Sequence, residues 1–201
     1  MIIGSIIEKH DILPSTNEYA SQLLAQKDVT EGTVIVASYQ TAGKGQGSHT
    51  WNSDNNKNLL FSIILYPDTV LPEDQVLITM AISLGVCDFL NNYFEGSQIK
   101  APNDIYYNNH KIAGMLIENT IVDGIINSCI VGIGLNVNQT TFPSDLPNPI
   151  SIANITGEEQ NINDCLNKIL ICLDKRYKEL LYGDREKIKS DYTMRLIAKA
   201  I

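Results

Sequence analysis

The chain reads as one α+β domain built on a mixed, largely antiparallel sheet with packed helices. Three observations point there. Strand-like and helix-like segments follow one another as βαββα, then a hairpin, then helices, which is not a regular βαβ alternation. A glycine-rich loop runs from strand to strand rather than into a helix. The last third of the chain carries apolar residues at helical spacing with no further strand pattern.

The elements follow in order. Ser5 to Leu13 is a strand candidate, and Pro14 ends it. Ser15 with Glu18 three residues on has the form of a capping box, predicting a helix from Thr16 to Ala25. Thr33–Tyr39 and Asn58–Tyr66 are predicted strands on either side of the loop. Val76, Met80, Leu84, Cys87 and Leu90 are spaced for one helix within Asp74–Phe94. The short apolar piece Gln98-Ile99 leads into a polar turn, Lys100 to Asp104. Lys111–Ile121 and Ile125–Leu135 flank Asp123-Gly124, a pair suited to a tight hairpin turn. Ile162–Tyr182 and Arg185–Ile201 are predicted helices. The boundaries expected are a domain over residues 1–182 and a helical tail over 183–201.

Composition excludes several classes. At 201 residues and 44% apolar content the chain can bury one good core. A net charge of −8 argues against nonspecific nucleic-acid binding, which needs a basic face. No apolar run has membrane-spanning length, and Met-Ile-Ile-Gly lacks the basic start of a signal peptide, so the expectation is a cytoplasmic protein without membrane or DNA contacts. Cys87, Cys129, Cys165 and Cys172 show neither metal-ligand nor redox spacing and are read as reduced core residues.

The chemistry concentrates in four segments. Gly43-Lys44-Gly45-Gln46-Gly47 alternates glycine with polar side chains and closes on Trp51. Bare backbone N–H groups and a lysine suit an anion. Neither a Walker loop nor a dinucleotide fingerprint fits, because no helix follows. Lys100-Ala101-Pro102-Asn103-Asp104, Lys111-Ile112-Ala113-Gly114-Met115-Leu116-Ile117-Glu118 and Gly132-Ile133-Gly134-Leu135-Asn136 complete the set. Each alone has an ordinary explanation as strand end, turn or close strand packing. Together they supply two lysines, an acid–amide pair and amide-bearing strand ends, enough to hold a nucleotide and a carboxylate without a metal cluster.

With Ser15-Thr16-Asn17, these segments resemble, in order, the motifs of the biotin protein ligases (biotin–[acetyl-CoA-carboxylase] ligases). The resemblance runs from Ser15 to Asn138 and more loosely to Leu181. It implies a fold like that of class II aminoacyl-tRNA synthetases and a two-step reaction. Biotin and Mg-ATP give biotinyl-5′-AMP, and the acyl group then passes to a lysine of a biotin carboxyl carrier protein. It implies that Ser15, Thr16, Asn17 and Gln40 bind the biotin head, while Gly43, Lys44, Gly45 and Gln46 cover the ligand. Lys111, with Lys44, is the implied catalytic cation; Gly114 and Leu116 line the biotin slot. Trp51, Asn103, Asp104 and Asn136 fall to the nucleotide, with Asp104 the one candidate to help hold Mg²⁺. An exposed sheet edge would permit a homodimer. His49 and His110 receive no role, because the attacking carboxylate is already ionised.

Two departures stand out. The family has arginine where this chain has Lys44 and often a second basic residue where it has Gln46, which implies looser retention of the adenylate. Ala101 replaces a tryptophan, which implies a gap or a reshaped pocket wall. A leading helix-turn-helix and the family's small C-terminal β-barrel are both expected to be missing. Two other readings stay open: a non-catalytic binder of biotin or its adenylate, and a lipoate ligase or octanoyl transferase of the same fold.

Overall fold

The computed structural model describes residues 1–197; positions 198–201 of the expected tail helix lie outside the described residues. Strand β1 (Ile7–Leu13) is followed by helix α1 (Thr16–Gln26), then by strands β2 (Val34–Gln40) and β3 (Leu59–Leu65). Helix α2 (Val76–Leu90), strands β4 (Gln98–Lys100) and β5 (Asp104–Tyr107), and the long hairpin β6 (His110–Val122)/β7 (Ile125–Leu135) come next. Helices α3 (Ile152–Thr156), α4 (Ile162–Tyr182) and α5 (Arg185–Arg195) close the chain. The seven strands form one sheet in the order β1-β2-β3-β7-β6-β5-β4. Among the named strands β1 and β2 run parallel and the other five pairings are antiparallel. The mixed α+β architecture is as the element order predicts.

Local chemistry explains most boundaries. Asp123 and Gly124 take φ of 51° and 77°, the left-handed pair that a two-residue hairpin turn requires. Helix α2 is apolar nearly all round, and residues from Leu77 to Leu90 are buried on every side of it. It is sandwiched between the sheet and helices α4 and α5, so no polar face is needed. Helix α4 is amphipathic instead: Leu166, Ile169, Leu170, Leu173, Tyr177 and Leu180 turn inward. Phe61, Phe89 and Tyr177 are the largest fully buried side chains of this layer.

Four details differ from the sequence-based expectation. Ser15 occupies the N-cap position of α1 but its side chain makes no capping bond. Glu18 turns to Lys44, so the box never closes, and the N–H of Thr16, which no such box would use, goes to Gln40 Oε1 at 2.7 Å. A working box stands elsewhere, at Ser151 and Asn154 before α3, an element the periodicity is too short to reveal. The predicted helix over Asp74–Phe94 shrinks to α2, preceded by a 3₁₀ turn at Pro72–Asp74. The polar turn read over Lys100 to Asp104 is the turn of a small hairpin between β4 and β5, with β5 hidden by its four-residue length.

The C-terminal helix is tied down by charge. Arg176 Nε lies 2.7 Å from Asp88, and its Nη1 lies 2.8 Å from both Glu179 and Asp191. Arg195 reaches the other oxygen of Asp88 at 3.0 Å. Burial alone would lower the Arg176 pKa, but these carboxylates outweigh it and hold the guanidinium charged. Helix α5 ends where Leu196 bridges Ile99, and the N–H of Ile197 donates to Ile99 O at 2.9 Å. Leu196 and Ile197 therefore cap one edge of the sheet where the spacing predicts helix.

The four cysteines are unpaired. Burial pushes the Cys129 thiol up to about 12, and it raises Cys87, Cys165 and Cys172 as well, so none offers a thiolate at neutral pH. Among the described residues no helix is long and apolar enough to cross a membrane.

Candidate active site

The site lies on the face of β3, β7 and β6 opposite α2. Alternation along β7 sends Val131, Ile133 and Leu135 into the α2 layer and leaves Gly132 and Gly134 on the other face. Gly134 pairs directly with Gly114 of β6, and Gly132 pairs with Ser62 of β3 and Leu116 of β6. These small residues form a lowered floor. The indole of Trp51 lies down on the Gly114/Gly134 pair: a Cβ on Gly114 would come 2.9 Å from Trp51 Cζ3, and one on Gly134 2.6 Å from its Nε1. Asn17 fills the corresponding space above Gly132 in the same way, where a Cβ would meet its side chain at 2.9 Å.

Two cavities open on this floor. The first, of about 260 Å³, is lined by Ser15, Thr16, Asn17, Gln40, Lys44, Gly45, Gln46, Trp51, Asn103, Asp104, Lys111, Gly114 and Leu116. The second, of about 310 Å³, holds Asn136 together with Phe142 and the Leu146–Pro149 segment. His49, Thr50, Trp51, Asp104 and Lys111 belong to both. The sequence-selected residues thus gather around one double pocket. Gly43 falls outside both cavities, in a neighbouring hollow with Thr41 and Asp54. A side chain there would come 3.0 Å from Gln40 Nε2 and collide with the carbonyl of Trp51. Its smallness serves loop packing. Ala101 is exposed and lines neither cavity, whereas Pro102 lines the first.

Lys111 stands at the junction. Its ammonium is 2.7 Å from Asp104 Oδ1 and 5.6 Å from the centre of the Trp51 ring. The β6/β5 register brings Asp104 opposite Gly114, and the segment after Asn148 fixes the lysine's backbone: its N–H donates to Asn148 O at 2.8 Å, and Ile150 N–H donates back at 3.0 Å. Asn103 staples the preceding turn to β6, with Nδ2 donating to Met115 O at 2.7 Å. Asn136 Nδ2 donates to Ile150 O at 3.0 Å, which leaves its Oδ1 and its second N–H to offer. Trp51 Nε1 is buried and has no partner among the described residues.

The glycine loop is a small hairpin of its own. Lys44 bridges Thr50, Gly45 N–H donates to His49 O at 2.8 Å, and Trp51 N–H donates to Gly43 O at 2.9 Å. These amides are bonded within the loop, not held out to a ligand. The Lys44 ammonium sits 3.3 Å from Glu18, with both side chains about half exposed, so it leans over the mouth instead of into it. His110 is exposed at a turn, with Nδ1 2.8 Å from Asn108 O, away from both cavities.

Residues the motifs did not single out complete the site. Ser62, fully buried, lies 2.7 Å from Thr16 Oγ1 and 2.6 Å from Asn17 Oδ1. A lone hydroxyl in the otherwise apolar run Leu59–Leu65 was the available signal. The wall from Phe142 to Pro149 carried only its prolines as a hint. Among the described residues no cluster of three metal-ligating side chains occurs.

The model of the Biotin/lipoate A/B protein ligase family matches residues 10–136. The bifunctional ligase/repressor BirA of Bacillus subtilis is 34% identical over 188 residues, covering 90% of this chain and 56% of that protein. The biotin–[acetyl-CoA-carboxylase] ligase of Mycobacterium tuberculosis is 25% identical over 86% of this chain and 65% of its own length. The chain therefore spans roughly half to two thirds of these curated relatives. The structure of a biotin protein ligase from Aquifex aeolicus in complex with biotin and ATP superposes with a TM-score of 0.83 at 26% identity, over 96% of this chain and 79% of that one.

Proposed function

The chain belongs to the Biotin/lipoate A/B protein ligase family, and from that premise we propose that it activates biotin with ATP and passes the acyl group to a protein lysine. One observation carries the reading: Lys111 is shared by two adjoining cavities, one lined by hydroxyls and amides, the other by Asn136 and apolar residues. Biotin's ureido head belongs at the Ser15–Thr16–Gln40 end of the first, with its carboxylate directed to Lys111. The nucleotide belongs in the second, its adenine near Asn136 and its α-phosphate at the junction. The carboxylate oxygen attacks the α-phosphorus, the bond to pyrophosphate breaks, and biotinyl-5′-AMP forms. Two anions approach each other in that step, and the Lys111 ammonium offsets the repulsion as charge builds on the phosphoryl oxygens. Asp104 holds the lysine in place at 2.7 Å and would offer a carboxylate to a Mg²⁺ carried by ATP. The acceptor would be a lysine of a biotin carboxyl carrier protein, and β1, at one edge of the sheet, is where two copies would pair.

The deciding assay incubates the purified chain with ATP, Mg²⁺ and either biotin or lipoate, and reads adenylate and pyrophosphate by mass spectrometry before an apo carrier domain is added. Biotinyl-5′-AMP from biotin alone is the expected product, and an adenylate formed from lipoate instead would overturn the reading. One observation favours a second reading, a binder without turnover: Lys44 is engaged by Glu18 and Gln46 carries no charge, so the lid contributes little positive potential. Biotin binding with no pyrophosphate release would establish it.

A further inference from the structure

Two buried amides, Asn58 and Gln139, lie behind the second cavity; each is 3% exposed and lines neither cavity. Asn58 stands one residue before β3, and a group that can only donate fixes its orientation: the Val137 N–H reaches Asn58 Oδ1 at 2.9 Å. Asn58 Nδ2 then donates to Ser53 Oγ at 2.9 Å and to Gln139 Oε1 at 2.7 Å. Gln139 Oε1 also accepts the Asp54 N–H at 3.0 Å, and its Nε2 donates to Thr141 O at 3.0 Å. The groups held in this way share one property. Ser53 follows Asn52, Val137 follows Asn136 and Thr141 precedes Phe142, and those three neighbours line the second cavity. They come from the exit of the glycine loop, the end of β7 and the segment beyond it, three pieces of chain joined by one pair of side chains. Removing either amide leaves buried N–H groups of these pieces without acceptors, so the pieces must shift to find others.

We infer that Asn58 and Gln139 are positioning residues that set the spacing of the second cavity's walls and so govern nucleotide affinity without touching the nucleotide. With the pair intact, the Asn52, Asn136 and Phe142 walls are fixed relative to one another before a base enters, and little ordering is left for binding to accomplish. With the pair broken, each wall moves by itself and the base loses its fit. The opposite end of the first cavity is built by Ser15 and Thr16 at the start of α1 and by Gln40 of β2, which the pair does not contact, so biotin binding is indifferent to it. The inference deepens the nucleotide reading of the second cavity and rests on it.

Adenylate formation by the whole chain tests it, with ATP varied at saturating biotin, and with biotin binding measured separately by calorimetry without nucleotide. Asn58→Ala and Gln139→Ala are each expected to raise KM for ATP about tenfold, while kcat and the Kd for biotin stay within about twofold of the unaltered chain. The double variant should exceed the larger single effect by less than about threefold, because both substitutions undo the same tie. Asn138→Ala is the control. Its amide bonds the N–H and the carbonyl of Gln160, both at 2.8 Å, so its loss should lower the melting temperature and leave KM for ATP in place. Thermal melting reports whether the variants fold; should either alanine variant of the pair fail, Ser53→Ala, at a partly exposed position, is to raise KM for ATP about threefold. An unchanged KM for ATP in folded variants, an equal loss of biotin affinity, full additivity, or an equal rise in Asn138→Ala overturns the inference. Failure of the unaltered chain to form an adenylate would refute the nucleotide reading itself, and this inference with it.

Discussion

Strands β3, β6 and β7 have two faces that the same chain alternation builds in opposite ways. Toward α2 and α4 they present Phe61, Ile63, Met115, Val131 and Ile133, a continuous apolar layer. Toward the double cavity they present Ser62, Gly114, Gly132 and Gly134, which pair side by side across the strands. The first face is filled by its own side chains. The second is emptied so that Asn17 and Trp51, from elsewhere in the chain, and Lys111, from the start of β6, can lie against the backbone. Substitution should therefore act through packed volume on one face and through the placement of visiting groups on the other.

Lys111→Ala gives the largest separation of the two. Adenylate formation should fall about 10³-fold with the denaturant midpoint nearly unmoved. Turnover that survives intact would remove the lysine from the chemistry. On the opposite face, Phe61→Ala should destabilise the fold by about 3–5 kcal/mol, read from urea unfolding. Binding of biotin by the folded fraction should persist; a stability loss below about 1 kcal/mol would mean that the α2 layer repacks freely. Gly134→Ala adds one methyl group to the emptied face, and the indole of Trp51 must lift from its floor. The expected result is about a tenfold rise in KM for ATP, the equivalent of the mild end of overpacking, with a small change in melting temperature. An unchanged KM would show that the indole's seat is immaterial. The smallest effect belongs to the half-exposed lid, where Gln46→Arg should slow release of the adenylate about threefold by restoring a charged donor. Chase experiments that find equal release rates would place retention elsewhere.

Much of this molecule is legible along the chain. Helix α4 begins and ends where its apolar spacing predicts, and the β6/β7 hairpin turns at Asp123-Gly124 because few other residues accept both left-handed positions. Short elements are not legible: β5 has four residues and α3 five, too few for a period to show. The capping box at Ser15 has the right residues and does not form, because Lys44, remote in sequence, engages the acid that would close it. The motif residues Ser15, Lys111 and Asn136 point to the chemistry through their types and order. Ser62 does not, since one serine in an apolar strand has no meaning until Thr16 and Asn17 are seen on either side of it.

The sequence by itself determined the α+β class, the strand-to-strand glycine loop and the set of polar groups available to a nucleotide and a carboxylate. Those features depend on periods and residue types over a few neighbouring positions. Only the tertiary structure decided that Lys111 and Asp104 form an ion pair at the junction of two cavities, that Lys44 turns to Glu18, and that Gly43 packs against the Trp51 carbonyl. Such outcomes depend on strand register and on partners distant in sequence, and a hydrogen bond is assigned only when every group competing for it is in place.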